Sequence, residues 1–288
     1  MKKVAIMTDT NSGIMPEDAE MYGCIVVPMP IIIEGDEYFE GVSVTAEEFY
    51  AKQKADAKIS TSQPNINDIA DLWKELLKTY DEIVHIPMSS GLSNSCETAI
   101  ARAEEFGGRV QVVDNQRISL TMKSAVCDAV AMAKNGNDAL QIKKWLEDTK
   151  KDSSIYIMVD TLKYLKRGGR VTPAAATIAA VLNIKPVLQI QGGKLDKFAK
   201  VLNVRSAKSK MIEAIKNDIE SRFADLLKEG KLRISVAHTE NYENALVFAQ
   251  EMKQALPNVE FEYVDPLPLS IATHIGANSL ACAVYRVY

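Results

Sequence analysis

The chain has 288 residues, of which 47% are hydrophobic and 25% charged, with a formal net charge of -4. That is enough for one large or two modest globular domains, and the absence of a basic footprint argues against nucleic acid as a partner. Cys24, Cys96, Cys127 and Cys282 lack metal-ligand spacing. They are read as reduced thiols of a cytoplasmic protein with no metal centre. The apolar run behind Lys2 and Lys3 is too short for a signal peptide, and residues 24–33, broken by Pro28 and Pro30, are too few to span a bilayer.

In chain order, residues 4–8 read as a buried strand ending in the polar turn Asp9-Thr10-Asn11-Ser12-Gly13. Thr45 and Glu48 have the spacing of a capping box and mark a helix start. Ile66, Ile69, Ala70, Trp73, Leu76, Leu77 and Tyr80 keep helical spacing, which predicts a helix with one core face. A strand over 83–87, a helix over 94–106, a strand over 109–114 and helices over 118–134 and 138–150 follow. Alternation of this kind implies an α/β class with a parallel sheet covered by helices.

Past a polar stretch at 151–154, the second half reads as a strand over 155–160 and a short helix over 161–165 stopped by Gly168-Gly169. An alanine-rich helix over 174–182 comes next, then a hairpin around Gly192-Gly193. A helix over 206–227, a strand over 233–238, a helix over 242–255, a strand over 259–264 and a C-terminal helix beginning near Asn278 complete the reading. The expected domains are 1–152 and 153–288.

Several common motifs are missing. The chain has no G-x-x-x-x-G-K-[ST] loop, no G-x-G-x-x-G after the first strand, no G-x-S-x-G and no H-E-x-x-H. Two hydroxyl-rich turns stand out instead. Ser89-Ser90-Gly91-Leu92-Ser93 lies between a strand and a helix, where hydroxyls and backbone N–H groups can converge on a small anion. Ser60-Thr61-Ser62-Gln63-Pro64 precedes another helix. In both places the plain alternative is a helix cap, with Asn94 and Glu97 as cappers at the first. Lys166-Arg167-Gly168-Gly169-Arg170 reads as a basic turn that either receives an anion or is simply solvated. His274, flanked by apolar residues, is read near a helix N-terminus, either structural or part of a site. Cys96 is read as a packing residue in preference to a reactive thiol.

Together these segments resemble the DegV family of bacterial fatty-acid-binding proteins. The similarity runs from Thr8-Asp9-Thr10 through Thr61-Ser62-Gln63-Pro64, Ser89-Ser90-Gly91-Leu92-Ser93, Leu165-Lys166-Arg167-Gly168-Gly169-Arg170-Val171, Leu182-Asn183-Ile184-Lys185-Pro186 and Lys200 to Arg205, and ends at His274-Ile275-Gly276. The resemblance implies an N-terminal three-layer α/β/α domain with a parallel sheet and a C-terminal two-layer α/β domain with a mixed sheet, holding a long-chain fatty acid between them. It assigns the acid to Thr61, Ser62, Ser93, His274 and Gly276. It also implies a separate ATP-dependent kinase subunit that docks near Arg170 and Arg205 and makes acyl-phosphate for phospholipid metabolism, with transient membrane contact allowed. No cofactor and no catalytic residue are expected. Three places depart from the family pattern: Gly13 stands where an acidic residue is usual, Gln116-Arg117-Ile118-Ser119-Leu120 replaces a small glycine-containing helix start, and Ala277-Asn278 replaces proline-glycine.

The chemistry agrees with a carrier. Burying roughly fourteen methylenes gains on the order of 11 kcal/mol gross, less the lost chain freedom. A buried carboxylate must be hydrogen-bonded, and neutral donors such as Thr61 and Ser93 can do this while leaving an oxygen for a partner to phosphorylate. The competing reading is an enzyme processing a small carbonyl or phosphate substrate with His274 and Ser93. A purely structural reading would make both turns simple helix caps.

Overall fold

The computed structural model describes residues 2–169 and 184–288. Its backbone falls into two compact units, Met1–Lys150 with Tyr288, and Lys151–Val287. Each is described by itself.

In the first unit, β1 (Val4–Asp9) sends alternate side chains to opposite faces. Ala5 and Met7 pack with Ile69, Ala70, Trp73, Cys96 and Ala99. Ile6, on the other face, packs with Ala125, Val126, Ala129, Ile142 and Leu146. β6 (Glu82–Ile86) divides in the same way, Ile83 to the first core and Val84 and Ile86 to the second. Helices α3 (Ile66–Leu76) and α4 (Ser95–Ala103) therefore cover one face, and α5 (Ser119–Lys134) and α6 (Ala139–Asp148) the other. With β2 (Ile25–Val27) and β7 (Val110–Val112), the strands form a parallel sheet in the order β2-β1-β6-β7. This is the expected three-layer arrangement.

The sequence pattern predicts no strand between residues 25 and 61, yet a small sheet forms there. β3 (Pro30–Ile33), β4 (Asp36–Phe39) and β5 (Ile59–Thr61) form a separate antiparallel sheet with β3 in the middle. The strands are only three or four residues long, too short for a period-2 pattern to register. Helix α1 (Ala19–Tyr22) precedes β2, and between β4 and β5 the capping box of Thr45 and Glu48 opens helix α2 (Ala46–Lys54) as expected.

The second unit is built on a six-stranded mixed sheet. Its strands are β8 (Ser153–Met158), β9 (Lys185–Ile190), β10 (Asp196–Val201), β11 (Leu232–His238), β12 (Glu260–Pro266) and β13 (Leu280–Arg286), in the order β10-β9-β8-β13-β11-β12. Tyr156, Met158, Val187, Ile234, Val236, Leu280, Cys282 and Val284 line one face, against Met211, Ile215, Phe248 and Met252 of two helices. The opposite face of the central strands is also apolar, carrying Ile155, Ile157, Ala281 and Ala283.

Three expectations need correction. The segment after Asn278 is not a helix but β13, paired antiparallel with both β8 and β11. A strand that is apolar on both faces loses the alternation that would mark it. The helix expected over 206–227 is two, Val204–Ser221 and Ala224–Lys228. Between them Arg222 turns back to donate to Ser154 Oγ at 2.7 Å and to the Lys151 carbonyl at 2.8 Å, while Phe223, 2% exposed, drops into the core. The basic segment at 166–169 is not a free turn: helix α7 (Lys163–Gly168) continues to Gly168, and left-handed Gly169 closes it. Arg170 and the expected alanine-rich helix lie outside the described residues.

Candidate functional site

In an open parallel sheet, the natural crevice lies beyond the carboxyl ends of the strands, where successive connections leave in opposite directions. Here that point falls between β1 and β6, so the turns following Asp9 and Ile86 flank it. Both turns are locally determined. Asp9 Oδ1 accepts from Asn11 N and Nδ2, each at 2.9 Å, and Oδ2 reaches across to accept from Met88 N at 3.0 Å. One carboxylate thus ties the two turns together. Burial pushes its pKa up to about 6 against the lowering pull of those hydrogen bonds.

The three serines of the second turn divide their work. Ser89 is the pivot: its carbonyl accepts from Leu92 N and Ser93 N, and its Oγ accepts from Gly91 N. Ser90 Oγ donates to Asp114 at 2.8 Å. These two hydroxyls serve the turn itself, which narrows the expectation that all three face an anion. Ser93 Oγ accepts from Ser95 N at 3.2 Å, leaving its own hydrogen to donate elsewhere. It also replaces the expected cap, because Asn94 has helical backbone angles and makes no side-chain cap bond. Cys96, one residue further into α4, is fully buried and its thiol is pushed up to about 12, in keeping with packing.

Thr61 and Ser62 come to the same edge by way of the short antiparallel sheet. Thr10 Oγ1 accepts from Met29 N at 3.1 Å, which fixes the entry to β3. Ile31 pairs with Thr61, and Ser62 N donates to the Pro30 carbonyl at 3.4 Å. The hydroxyls here are not helix caps, since Asn65 caps α3 by accepting from Asn67 N at 3.0 Å. Thr98 Oγ1 of α4 donates to Gln63 Oε1 at 3.4 Å, so the two hydroxyl-bearing segments meet side by side.

In the second unit, His274 is not at a helix N-terminus as expected but in the last turn of α8 (Leu269–Ile275). It packs on α7. A Cβ built on Gly168 would lie 2.3 Å from His274 Nδ1, and one on Gly276 would lie 2.4 Å from the Tyr164 ring. Gly276, with φ +77 besides, is thus required there, and Gly168 leaves the room that the His274 ring takes. The following turn is clasped by Thr239, whose Oγ1 donates to the Gly276 carbonyl at 2.7 Å and accepts from Ser279 N at 2.9 Å. Asn278 adopts φ +59 and so supplies the left-handed residue where the family pattern has glycine. Gln116 (φ +52) and Ser119 (φ +53) likewise take left-handed positions in the divergent segment after β7.

Arg205 is exposed in the first turn of helix Val204–Ser221. Asn203 caps that helix by accepting from Ser206 N at 2.9 Å. Among the described residues, no cluster of His, Cys, Asp or Glu could hold a metal ion, and no helix is long and apolar enough to cross a membrane. Sequence reasoning missed the bond from Asp9 to Met88 and the Thr239 clasp, because both join residues that are distant along the chain.

The chain and its fold are similar to those of known proteins. The protein DegV of Bacillus subtilis is 30% identical over 281 residues, covering 96% of this chain and 97% of its own. A DegV domain-containing protein of Deinococcus radiodurans is 33% identical over 214 residues, 74% of this chain and 76% of its own. Among solved structures, a DegV family protein of Thermus thermophilus described for its fatty-acid binding superposes with a TM-score of 0.89 at 27% identity, covering 99% of this chain and all of that one. DegV of B. subtilis, described as a fatty acid binding protein, gives a TM-score of 0.85 at 28% identity, also over 99% of this chain and all of that one. The family model described as "Uncharacterised protein, DegV family" matches residues 3–287, and the chain belongs to that family.

Proposed function

We propose that this protein binds a long-chain fatty acid and presents its carboxylate to a separate ATP-dependent kinase subunit. The residues proposed to hold the acid are Thr61, Ser62, Ser93, His274 and Gly276. One observation carries it: two hydroxyl-bearing segments meet at the carboxyl edge of the sheet, and Ser93 keeps a hydrogen to donate. The fatty-acid binding of the Thermus and Bacillus structures supports the same ligand class.

The chemistry follows from neutral donors. A carboxylate held by hydroxyls remains an anion with a usable lone pair, so one of its oxygens can attack the γ-phosphorus of ATP on the partner and release ADP. On this reading the chain supplies no base and needs none. Arg205, and Arg170 outside the described residues, would meet the kinase. A hydrogen bond to a charged group is worth about 1.5–3 kcal/mol, so Ser93→Ala should weaken acid binding about 10- to 100-fold. The test is denaturing extraction of the purified protein with identification of any bound lipid, followed by titration of Ser93→Ala. A preparation that neither retains nor takes up an acyl chain ends the proposal, and an unchanged Kd removes Ser93 from it.

A further inference from the structure

Between β6 and α4 the chain is tied down at three successive residues. Met88 N donates to Asp9 Oδ2 at 3.0 Å, Ser89 N to the Arg117 carbonyl at 3.1 Å, and Ser90 N to Asp114 Oδ1 at 3.3 Å. Each partner is distant along the chain. Past Ser90 the bonds become local: Gly91 N, Leu92 N and Ser93 N all donate to Ser89, and Ser93 Oγ accepts from Ser95 N. Ser93 is thus held between α4 on one side and the anchored pair Ser89 and Ser90 on the other.

Asp114 has the firmest grip of the three. Its Oδ1 takes the Ser90 N–H and its Oδ2 the Ser90 hydroxyl, at 2.8 Å, so both oxygens close on one residue. Bonds to an ionised acceptor are stronger than neutral ones, and two on one residue fix direction as well as distance. Asp114 is itself held from behind. Its N–H donates to Glu147 Oε1 at 3.3 Å, the same oxygen that Lys143 Nζ meets at 2.6 Å, and Lys143 also donates to the Val112 carbonyl. Just beyond lies the divergent segment, with Gln116 at φ +52 and Ser119 at φ +53, conformations kept only where the surroundings impose them. Between these two Arg117, 2% exposed, donates to the Thr149 carbonyl at 2.8 Å and so fastens the segment to the end of α6.

We propose that Asp114 is a positioning residue for the head group: its two-oxygen grip on Ser90 sets the turn from which Ser93 donates to the ligand. Asp114 itself touches no ligand. It acts through Ser90, then Ser89, whose carbonyl accepts from Ser93 N. Asp114 then matters for binding only if Ser93 does, so this role rests on the fatty-acid reading above. A residue that merely finished β7 would add to stability without singling out Ser93.

The experiment is palmitate titration of the full chain as a double-mutant cycle between Asp114→Ala and Ser93→Ala, with Asp114→Asn as the conservative variant. Asp114→Ala should weaken palmitate about tenfold in the wild type but less than about twofold once Ser93 is alanine, because residues that act through one contact are not additive. Asp114→Asn keeps an acceptor for Ser90 N and offers an N–H to the Ser90 oxygen, so it should recover to within about threefold of wild type. An equal loss in both backgrounds, no loss in either, or an Asp114→Asn as weak as Asp114→Ala overturns the role. Should Asp114→Ala fail to fold, Ser90→Ala replaces it in the same cycle and is read in the same way. Wild-type protein that ignores palmitate removes the fatty-acid reading and the role together, whereas wild-type binding with a silent Asp114→Ala removes the role alone.

Discussion

Replacing Gly276 with alanine probes the seat of His274 without touching a hydroxyl. The residue has φ +77 and ψ 177, a region essentially reserved for glycine, which costs a side-chain-bearing residue about 1–3 kcal/mol. The new Cβ would also stand 2.4 Å and 2.5 Å from two carbons of the Tyr164 ring, far inside van der Waals contact. Forcing a methyl into a packed site adds about 1–3 kcal/mol, so the expected loss is roughly 2–6 kcal/mol. Gly13 is the control: φ is +79, but nothing lies within 4 Å of its Cβ position, and only the backbone cost of about 1–2 kcal/mol applies. A two-domain chain need not unfold in one step, so each unit needs its own probe. Fluorescence of Trp73 and Trp145 reports on the first unit during urea unfolding, and hydrogen exchange of the β13 amides reports on the second. Combining Gly276→Ala with Tyr164→Ala should remove the steric part. A loss in the second unit that is no larger than the Gly13→Ala loss in the first, or one equally large without the Tyr164 ring, refutes the reasoning.

Two further outcomes follow from neighbouring residues. Gly168→Ala should favour helix α7 intrinsically by up to about 1 kcal/mol, yet its Cβ would press on His274 Nδ1, so the imidazole must rotate. A shifted His274 ring resonance in NMR with weaker acid binding is expected, and an unmoved resonance argues against the contact. Because burial raises Asp9 from 3.8 to about 6, the folded chain holds this proton more tightly than the unfolded one. Its contribution is present below about pH 4 and is lost as pH rises through 6, by up to about 3 kcal/mol. Asp9→Asn should therefore gain on wild type in urea between pH 4 and pH 7, and a flat difference or one of opposite sign disproves the shift.

Much of the molecule was legible from local pattern. The α3 stripe from Ile66 to Leu77, the Thr45–Glu48 capping box and the alternation of strands with helices each depend on residues within a few positions of one another, where chain geometry alone decides. The hydroxyl turns were also visible, because a strand running into serines and then a helix is a local event. What the turns do was not. That Ser89 and Ser90 brace the turn while Ser93 keeps its hydrogen depends on Arg117, Asp114 and Ser95, which are brought there by packing.

Periodicity and local hydrogen bonding were enough for the α/β class, most helices and the segments that carry the hydroxyls. Long-range packing was needed to make residues 280–286 a central strand, to deliver Thr61 to the sheet edge on three short strands, and to close a helix with His274 against Gly168. The physical reason is shared. Burial on both faces erases alternation, three-residue strands are too short to show it, and a missing Cβ gains meaning only when another residue fills its space.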